Sequence, residues 1–286
     1  MTDMRTRPRF VLSADDYALS DGVSRGILDL AAAGRLSATA AMTNFPQWRH
    51  HAAALAGQRD RLAIGLHLNL TAGAPLGAMA RLAPSGTMPG LAPYLGRAAA
   101  MAADEIAAEI DRQLDTFEDE AGMAPDFVDG HHHVHIFQPV RRALITILAR
   151  RYPIRPPLVR NPGDRLARIL ARCGFAIKAV GVAFHARGLA DELFAAGLPS
   201  NDGFSGFSAF DRATPFDAEL DIALKSPGPR PIAMCHPGHV DAMLAARDSV
   251  TGRREDELKA LMRRADMTDW LWRCRRDAAG RVLWWQ

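Results

Sequence analysis

The sequence predicts an α/β barrel, a parallel sheet with helices covering its outer face. Three observations lead there. Short apolar runs alternate with amphipathic helical stretches along the chain, the pattern of a parallel sheet covered by helices. The length, 286 residues, suits one large α/β domain. Alternation alone also allows an open doubly wound sheet. However, no GxGxxG follows a strand and no Walker loop is present, which disfavours the nucleotide-binding sheet and leaves the barrel.

The elements follow in order. Residues 9–16, RFVLSADD, are a short apolar run ending in acids and read as a buried strand. Ser20 caps a helix running to about Ala33, with Val23, Ile27 and Leu30 on one face and Gly34 closing it. Residues 37–44, SATAAMTN, form a weaker strand, and residues 62–70, LAIGLHLNL, a strong one. Residues 104–121 are an amphipathic helix with Ile106, Ile110, Leu114 and Phe117 in register and Gly122 after it. Residues 126–133 are expected as a strand running into a histidine cluster. Pro139 opens the next helix, which carries Val140, Leu144 and Ile147. Further strands are expected at 157–161, PLVRN, and 231–236, PIAMCH. Two stretches rich in glycine and proline, 71–96 and 198–215, read as long loops, which are commonly functional.

Composition narrows the class. Hydrophobic residues make up 48% and charged residues 23%, as in ordinary globular proteins. No apolar run is long enough to span a bilayer. The N-terminal MTDMRTRPRF lacks the apolar core of a signal peptide, so the expected location is cytoplasmic. Three cysteines, Cys173, Cys235 and Cys274, with no CxxC, agree with a reducing compartment. The net charge is +3, and basic residues are spread out; the runs Arg253-Arg254 and Arg263-Arg264 fall in a polar, helix-like segment. Nucleic acid is not an expected partner.

The chemistry collects where strands stop. Asp15 and Asp16 end the first strand, His67 lies in the third, and Asp129 leads into His131. Arg160 and Asn161 end another strand, and His236 ends the last. In parallel α/β folds these carboxyl ends surround the active site, and buried charges there need partners. Bland readings exist for each: Asp16 could cap a helix, and His67 could be a hydrogen-bonded core histidine. His50, His51 and His185 read as surface or structural residues, and Cys235 as a buried thiol rather than a nucleophile. The run His131-His132-His133-Val134-His135 is the hardest to bury without a metal or a polar network. One carboxylate and two imidazoles with an open position suit a catalytic divalent cation. A second carboxylate could take a proton from water, and a histidine across the site could protonate a leaving group. Amide or ester hydrolysis is the chemistry suggested.

Five motifs, SADDYALS (13–20), IGLHLNLT (64–71), VDGHHHVHIF (128–137), GFSGFSAF (203–210) and AMCHPGHVD (233–241), resemble in order and spacing the YdjC-like carbohydrate deacetylases, which include chitooligosaccharide and hopanoid-associated deacetylases. The likeness covers about residues 9–241. The resemblance implies a distorted, TIM-barrel-like (β/α) barrel. It also implies one divalent ion, magnesium or zinc, on Asp16, His67 and His131, with Asp15 as general base, His236 as general acid and Arg160 steadying the base. The two imidazole ligands argue for zinc or a similar transition metal, and the sequence leaves the metal open. His133 and His135 are candidate substrate contacts, since 131, 133 and 135 share a face in an extended segment; His132 would point elsewhere. The family usually has Asp-Asp-Phe-Gly where this chain has Asp15-Asp16-Tyr17-Ala18, which tightens the backbone after the ligand.

The expectation is a single-domain carbohydrate deacetylase over 1–286, with 242–286 as a helical and aromatic tail. Its substrate would be a neutral N-acetylhexosamine in a short oligosaccharide or glycolipid. The loops carry Met79, Met88, Leu91, Tyr94, Phe204, Phe207 and Phe210 and few charges, suiting a sugar face; Phe204 and Phe207 are the substrate-wall candidates, and packing is the competing role. A phosphoester hydrolase on the same barrel would want more cationic clamps than Arg160. A non-catalytic sugar-binding module would lack the base or acid. The tail residues Trp270, Trp272, Trp284 and Trp285 cover either a core edge or a partner, as in a homodimer.

Overall fold

The computed structural model describes residues 8–286; the first seven residues, which carry most of the N-terminal segment read above for a leader, lie outside them. The strands are β1 (Val11–Tyr17), β2 (Ala38–Ala41), β3 (Ala63–Leu68), β4 (Phe127–Gly130), β5 (Leu158–Val159), β6 (Phe204–Ser205) and β7 (Ile232–Cys235). All their pairings are parallel, in the order β5-β4-β3-β2-β1-β7-β6. The two ends of this sheet meet. Val159 bridges Ser200, just before β6, in parallel, and the Val159 N–H donates to the Pro199 carbonyl at 2.8 Å. Asn201 clasps the backbone of Asn161 on both sides, at 2.7 and 2.9 Å. The strands therefore follow chain order around a distorted barrel, with a seam of one bridge between β5 and the approach to β6. The strand β6 lies inside the stretch expected as the 198–215 loop.

The helices are α1 (Asp21–Ala32), α2 (Gln47–Ala56), α3 (Arg97–Met101), α4 (Ala103–Ala121), α5 (Gln138–Arg151), α6 (Leu166–Arg172), α7 (Ala176–His185), α8 (Leu189–Ala195), α9 (Phe216–Ala223), α10 (Ala242–Arg247), α11 (Gly252–Arg263) and α12 (Met267–Trp270). Ser20 caps α1, its Oγ accepting from the Val23 N–H, as a cap serine does. In α4, Ile106, Ile110, Leu114 and Phe117 are fully buried, and Gly122 closes the helix in the left-handed conformation. Among the described residues no helix is long and apolar enough to cross a membrane.

The tail closes the amino end of the barrel. Leu271 bridges Phe10, and the Ser37 hydroxyl donates to the Trp272 carbonyl at 2.6 Å. Trp272 is buried and stacks on Trp284 at 5.2 Å, and Trp284 meets Phe127 edge-on. The carboxyl end stays open to ligands.

Candidate metal centre

Along a regular strand, neighbouring side chains point to opposite faces. Asp15 and Asp16 nevertheless both reach the site, because β1 carries a bulge there. Its register with β2 slips between Ala14 and Tyr17, and Asp16 adopts φ +70°. Bulges re-aim side chains in this way. Asp is one of the few L-residues that visits this region routinely.

Asp16 Oδ1 lies 3.2 Å from His67 Nε2 and 3.0 Å from His131 Nδ1. All three residues are buried or nearly so, and their donor atoms lie within 4.8 Å of one another. The opposite nitrogen of His67, Nδ1, sits 2.6 Å from Asp129 Oδ1. A carboxylate behind a ligating imidazole fixes its tautomer and leaves the other nitrogen's lone pair for a metal. With Nδ1–H donated to Asp129, the Nε2 lone pair faces a carboxylate oxygen, an arrangement that calls for a cation or a proton between them. Burial opposes charge on His67, but Asp129, Asp15 and Asp16 together push it up to about 10. Burial also opposes ionisation of Asp16, and Arg254 with His131 outweighs it, holding that carboxyl well below the usual range. The donor set fits a divalent cation.

Asp15 is gripped by Arg160, whose Nη1 and Nη2 lie 2.7 and 2.9 Å from its two oxygens. Arg160 is fully buried and also lies 2.7 Å from Asp129 Oδ2. One guanidinium thus ties Asp15 to the carboxylate behind His67. Breaking such a buried pair by removing one partner costs roughly 3–5 kcal/mol. His236 follows β7, with Nε2 4.0 Å from Asp15 Oδ2. Burial pushes this imidazole down to about 4, against the pull of Asp16 and Asp15.

These groups floor a cavity of about 680 Å³. Asp15, Asp16, His67, His131, His133, His236 and Arg254 line its base, and Leu91, Leu95, Ile177, Val182 and Phe210 line its sides.

The histidine run departs from the extended strand expected. β4 stops at Gly130, and residues 131–136 form a tight turn in which His132 and His133 have φ +53° and +56°. Gly130 is needed there, since a Cβ would sit 2.7 Å from His135 Nδ1. The turn breaks the period of two, so 131, 133 and 135 do not share a face. His132, expected elsewhere, lines the cavity and bonds Thr71 at 2.9 Å. His135 is fully buried away from the cavity lining, donating to the Arg160 carbonyl at 2.7 Å. Phe204 and Phe207 do not line the cavity either; they are buried and pack edge-on behind the His133 ring. Met79, Met88 and Tyr94 are also buried; of the loop residues named from the sequence Leu91 and Phe210 reach the cavity, and Leu95 joins them. His185, read as structural, reaches the rim. Cys235 is buried against the Ser13 carbonyl, away from the cavity lining, and burial raises its thiol well above the usual range.

Sequence reasoning gave Asp129 no role, although its place at a strand end was visible. Arg254 leaves no signal: the run Arg253-Arg254 falls in a polar, helix-like segment, and both residues are buried.

The family description "YdjC-like protein" matches residues 9–271. The chain belongs to this family. It is 28% identical over 262 residues to a "Carbohydrate deacetylase" of Halalkalibacterium halodurans, covering 89% of this chain and 95% of that one. It is 39% identical over 143 residues to a "Chitooligosaccharide deacetylase" of Serratia marcescens, covering 49% of this chain and 55% of that one. In fold it is similar to a "putative cellobiose-phosphate cleavage protein" of Enterococcus faecalis V583, with a TM-score of 0.71, 20% identity, and coverage of 93% and 96%. That likeness supports the barrel.

Proposed function

We propose that this YdjC-like chain is a metal-dependent carbohydrate deacetylase that hydrolyses the acetamide of an N-acetylated sugar to acetate and a free amine. The observation that carries the reading is the convergence of His67 Nε2 and His131 Nδ1 on Asp16 Oδ1, at 3.2 and 3.0 Å, beside the Arg160-bound Asp15. The names of the H. halodurans and S. marcescens relatives supply the substrate class.

Asp16, His67 and His131 would hold the ion. When bound, a divalent cation polarises the acetyl oxygen and acidifies water. Two imidazoles and one carboxylate suit zinc or a similar transition ion better than magnesium, which prefers oxygen ligands. Asp15 takes the proton from water; each oxygen it gives to Arg160 keeps a further lone pair for this. Arg160 holds Asp15 in place throughout. His236 gives a proton to the departing amine. Burial keeps its imidazole neutral at rest, so that proton has to be acquired within the turnover. The source is the proton that water yields, 4.0 Å away at Asp15 Oδ2.

The substrate proposed is a neutral N-acetylhexosamine unit, with chitobiose-type sugars first. Apolar sides and a single lysine, Lys178, held over the Phe210 ring at 4.4 Å, support a neutral ligand over a phosphorylated one. His133 is the remaining substrate contact from the histidine run. We further propose that residues 1–286 act as one domain, since α11 reaches the site from the tail. The compartment proposed is cytoplasmic, in keeping with three free thiols. A homodimer would use the exposed Phe184 and Phe194 of α7 and α8.

The test is acetate release from N-acetylated sugars by chelator-stripped protein reloaded with Zn, Mg, Mn, Co or Ni. Acetate from chitobiose-type sugars, restored best by zinc or cobalt, is expected. Phosphate release from phosphorylated sugars without acetate would overturn the reading.

A further inference from the structure

The metal-facing carboxylate has two oxygens, and the chain uses them differently. Oδ1 faces His67 and His131, whereas Oδ2 receives Arg254 Nη2 at 2.6 Å. Arg254 comes from α11, outside the five motifs. It is buried, and the same Nη2 lies 2.6 Å from Asp248 Oδ2 while its Nε donates to the Val250 carbonyl at 3.1 Å. The helix itself is fixed to the site: the Gly238 N–H donates to the Arg254 carbonyl at 3.1 Å, and Glu257 accepts the His236 N–H at 2.6 Å. The backbone of Arg254 is thus tied to the segment that carries His236, and its guanidinium is held beside Asp16 by Asp248 and the Val250 carbonyl.

From this geometry we infer that Arg254 is a positioning residue that keeps Asp16 a one-oxygen ligand. A carboxylate can bind a cation through one oxygen or both. With Oδ2 occupied by an N–H, the protein contributes three donor atoms, and the remaining places on the ion are left to water and the acetyl oxygen. If Oδ2 were free it would turn onto the ion and take one of those places. A guanidinium beside a cation also repels it, so Arg254 exchanges metal affinity for an open coordination place. This rests on the ligand set assigned under Proposed function.

The experiment compares wild type, Arg254→Met and Arg254→Lys loaded with cobalt(II) or zinc. Visible absorption of cobalt(II) weakens as its coordination number rises. Arg254→Met is expected to weaken that absorption, bind zinc as tightly as wild type or more tightly, and lose on the order of 10- to 100-fold in kcat, the usual scale for groups that orient a ligand. Arg254→Lys, which keeps a charged donor, is expected to recover part of the absorption and turnover. An unchanged cobalt spectrum in Arg254→Met, or weaker zinc binding with that spectrum, would overturn the inference. Should Arg254→Met fail to fold, a zinc-loaded wild-type crystal structure decides. One Asp16 oxygen on zinc with the other on Arg254 supports it; both oxygens on zinc overturn it. Zinc bound away from Asp16, His67 and His131 would instead overturn the ligand assignment itself.

Discussion

The floor and the sides of the cavity are built on opposite terms. The floor consists of strand-end side chains, joined by Arg254 of α11, that are buried, charged and tied to one another. Asp15 is forked by Arg160, Arg160 touches Asp129, Asp129 holds His67, and Asp16 is held by Arg254. The sides come from loops and helices, chiefly Leu91, Leu95, Ile177, Val182 and Phe210. They are apolar and often exposed: Ile177 is 93% exposed and Leu95 57%. A rigid floor suits chemistry, which needs atoms placed in advance. Exposed apolar sides suit a ligand that supplies the missing contact surface. Floor changes should therefore alter turnover, and side changes should alter affinity.

The largest effect is expected at the floor. Asp15→Asn keeps the shape of the side chain and leaves Arg160 its contact with Asp129. It should lower kcat roughly 10²- to 10⁴-fold, the usual contribution of the general base proposed for it, with the content of reloaded metal unchanged by elemental analysis. Near wild-type kcat would remove Asp15 from its role. A variant that fails to retain the reloaded metal would mean that floor residues are too interdependent for separate roles to be read.

Most of the floor was legible in the sequence and most of the sides were not, for a physical reason. Acids and imidazoles inside apolar strands contradict the usual cost of burial, so Asp15, Asp16, His67 and His236 stood out without coordinates. Backbone devices hid the rest. The left-handed turn at His132 and His133 reversed the expected order of the histidines. The strand β6 is two residues long between Gly203 and Gly206, both with positive φ, so no strand period announced it. The helix α7 puts Ile177, Val180 and Phe184 towards solvent, the reverse of the inward apolar stripe by which helices are recognised. Arg254 is a guanidinium in a polar helix, indistinguishable in sequence from a solvated one.

A smaller effect tests the sides. Ile177 packs against little, so Ile177→Ser should leave melting temperature and kcat unchanged. Losing an apolar contact worth about 1 kcal/mol would raise KM roughly fivefold for a sugar that lies against it. An unchanged KM would place the substrate elsewhere in the cavity. A fall in kcat alone would show that sides and floor are not separable.

The smallest effect concerns the backbone beneath the floor. Ala18 is an L-residue directly after the bulge, and its φ is +71°. An L-residue in this region is strained by roughly 1–2 kcal/mol, whereas glycine is not, though glycine forfeits roughly 0.5–1 kcal/mol through its freer unfolded chain. The difference predicts that Ala18→Gly stabilises the protein by about 0.5 kcal/mol, read as a small rise in the denaturant midpoint. Turnover should not change. The bulge is pinned on both sides of this residue: the Leu19 N–H donates to the Asp16 carbonyl at 3.0 Å, the Met42 N–H to the Tyr17 carbonyl at 2.9 Å, and the Ala18 N–H to Ser24 Oγ at 3.1 Å. None of these bonds involves the methyl group that is removed. If Ala18→Gly instead lowers kcat at unchanged metal content, the strained alanine itself helps to aim Asp16. The rigidity of the floor would then depend on that methyl group as well as on the ion pairs around it.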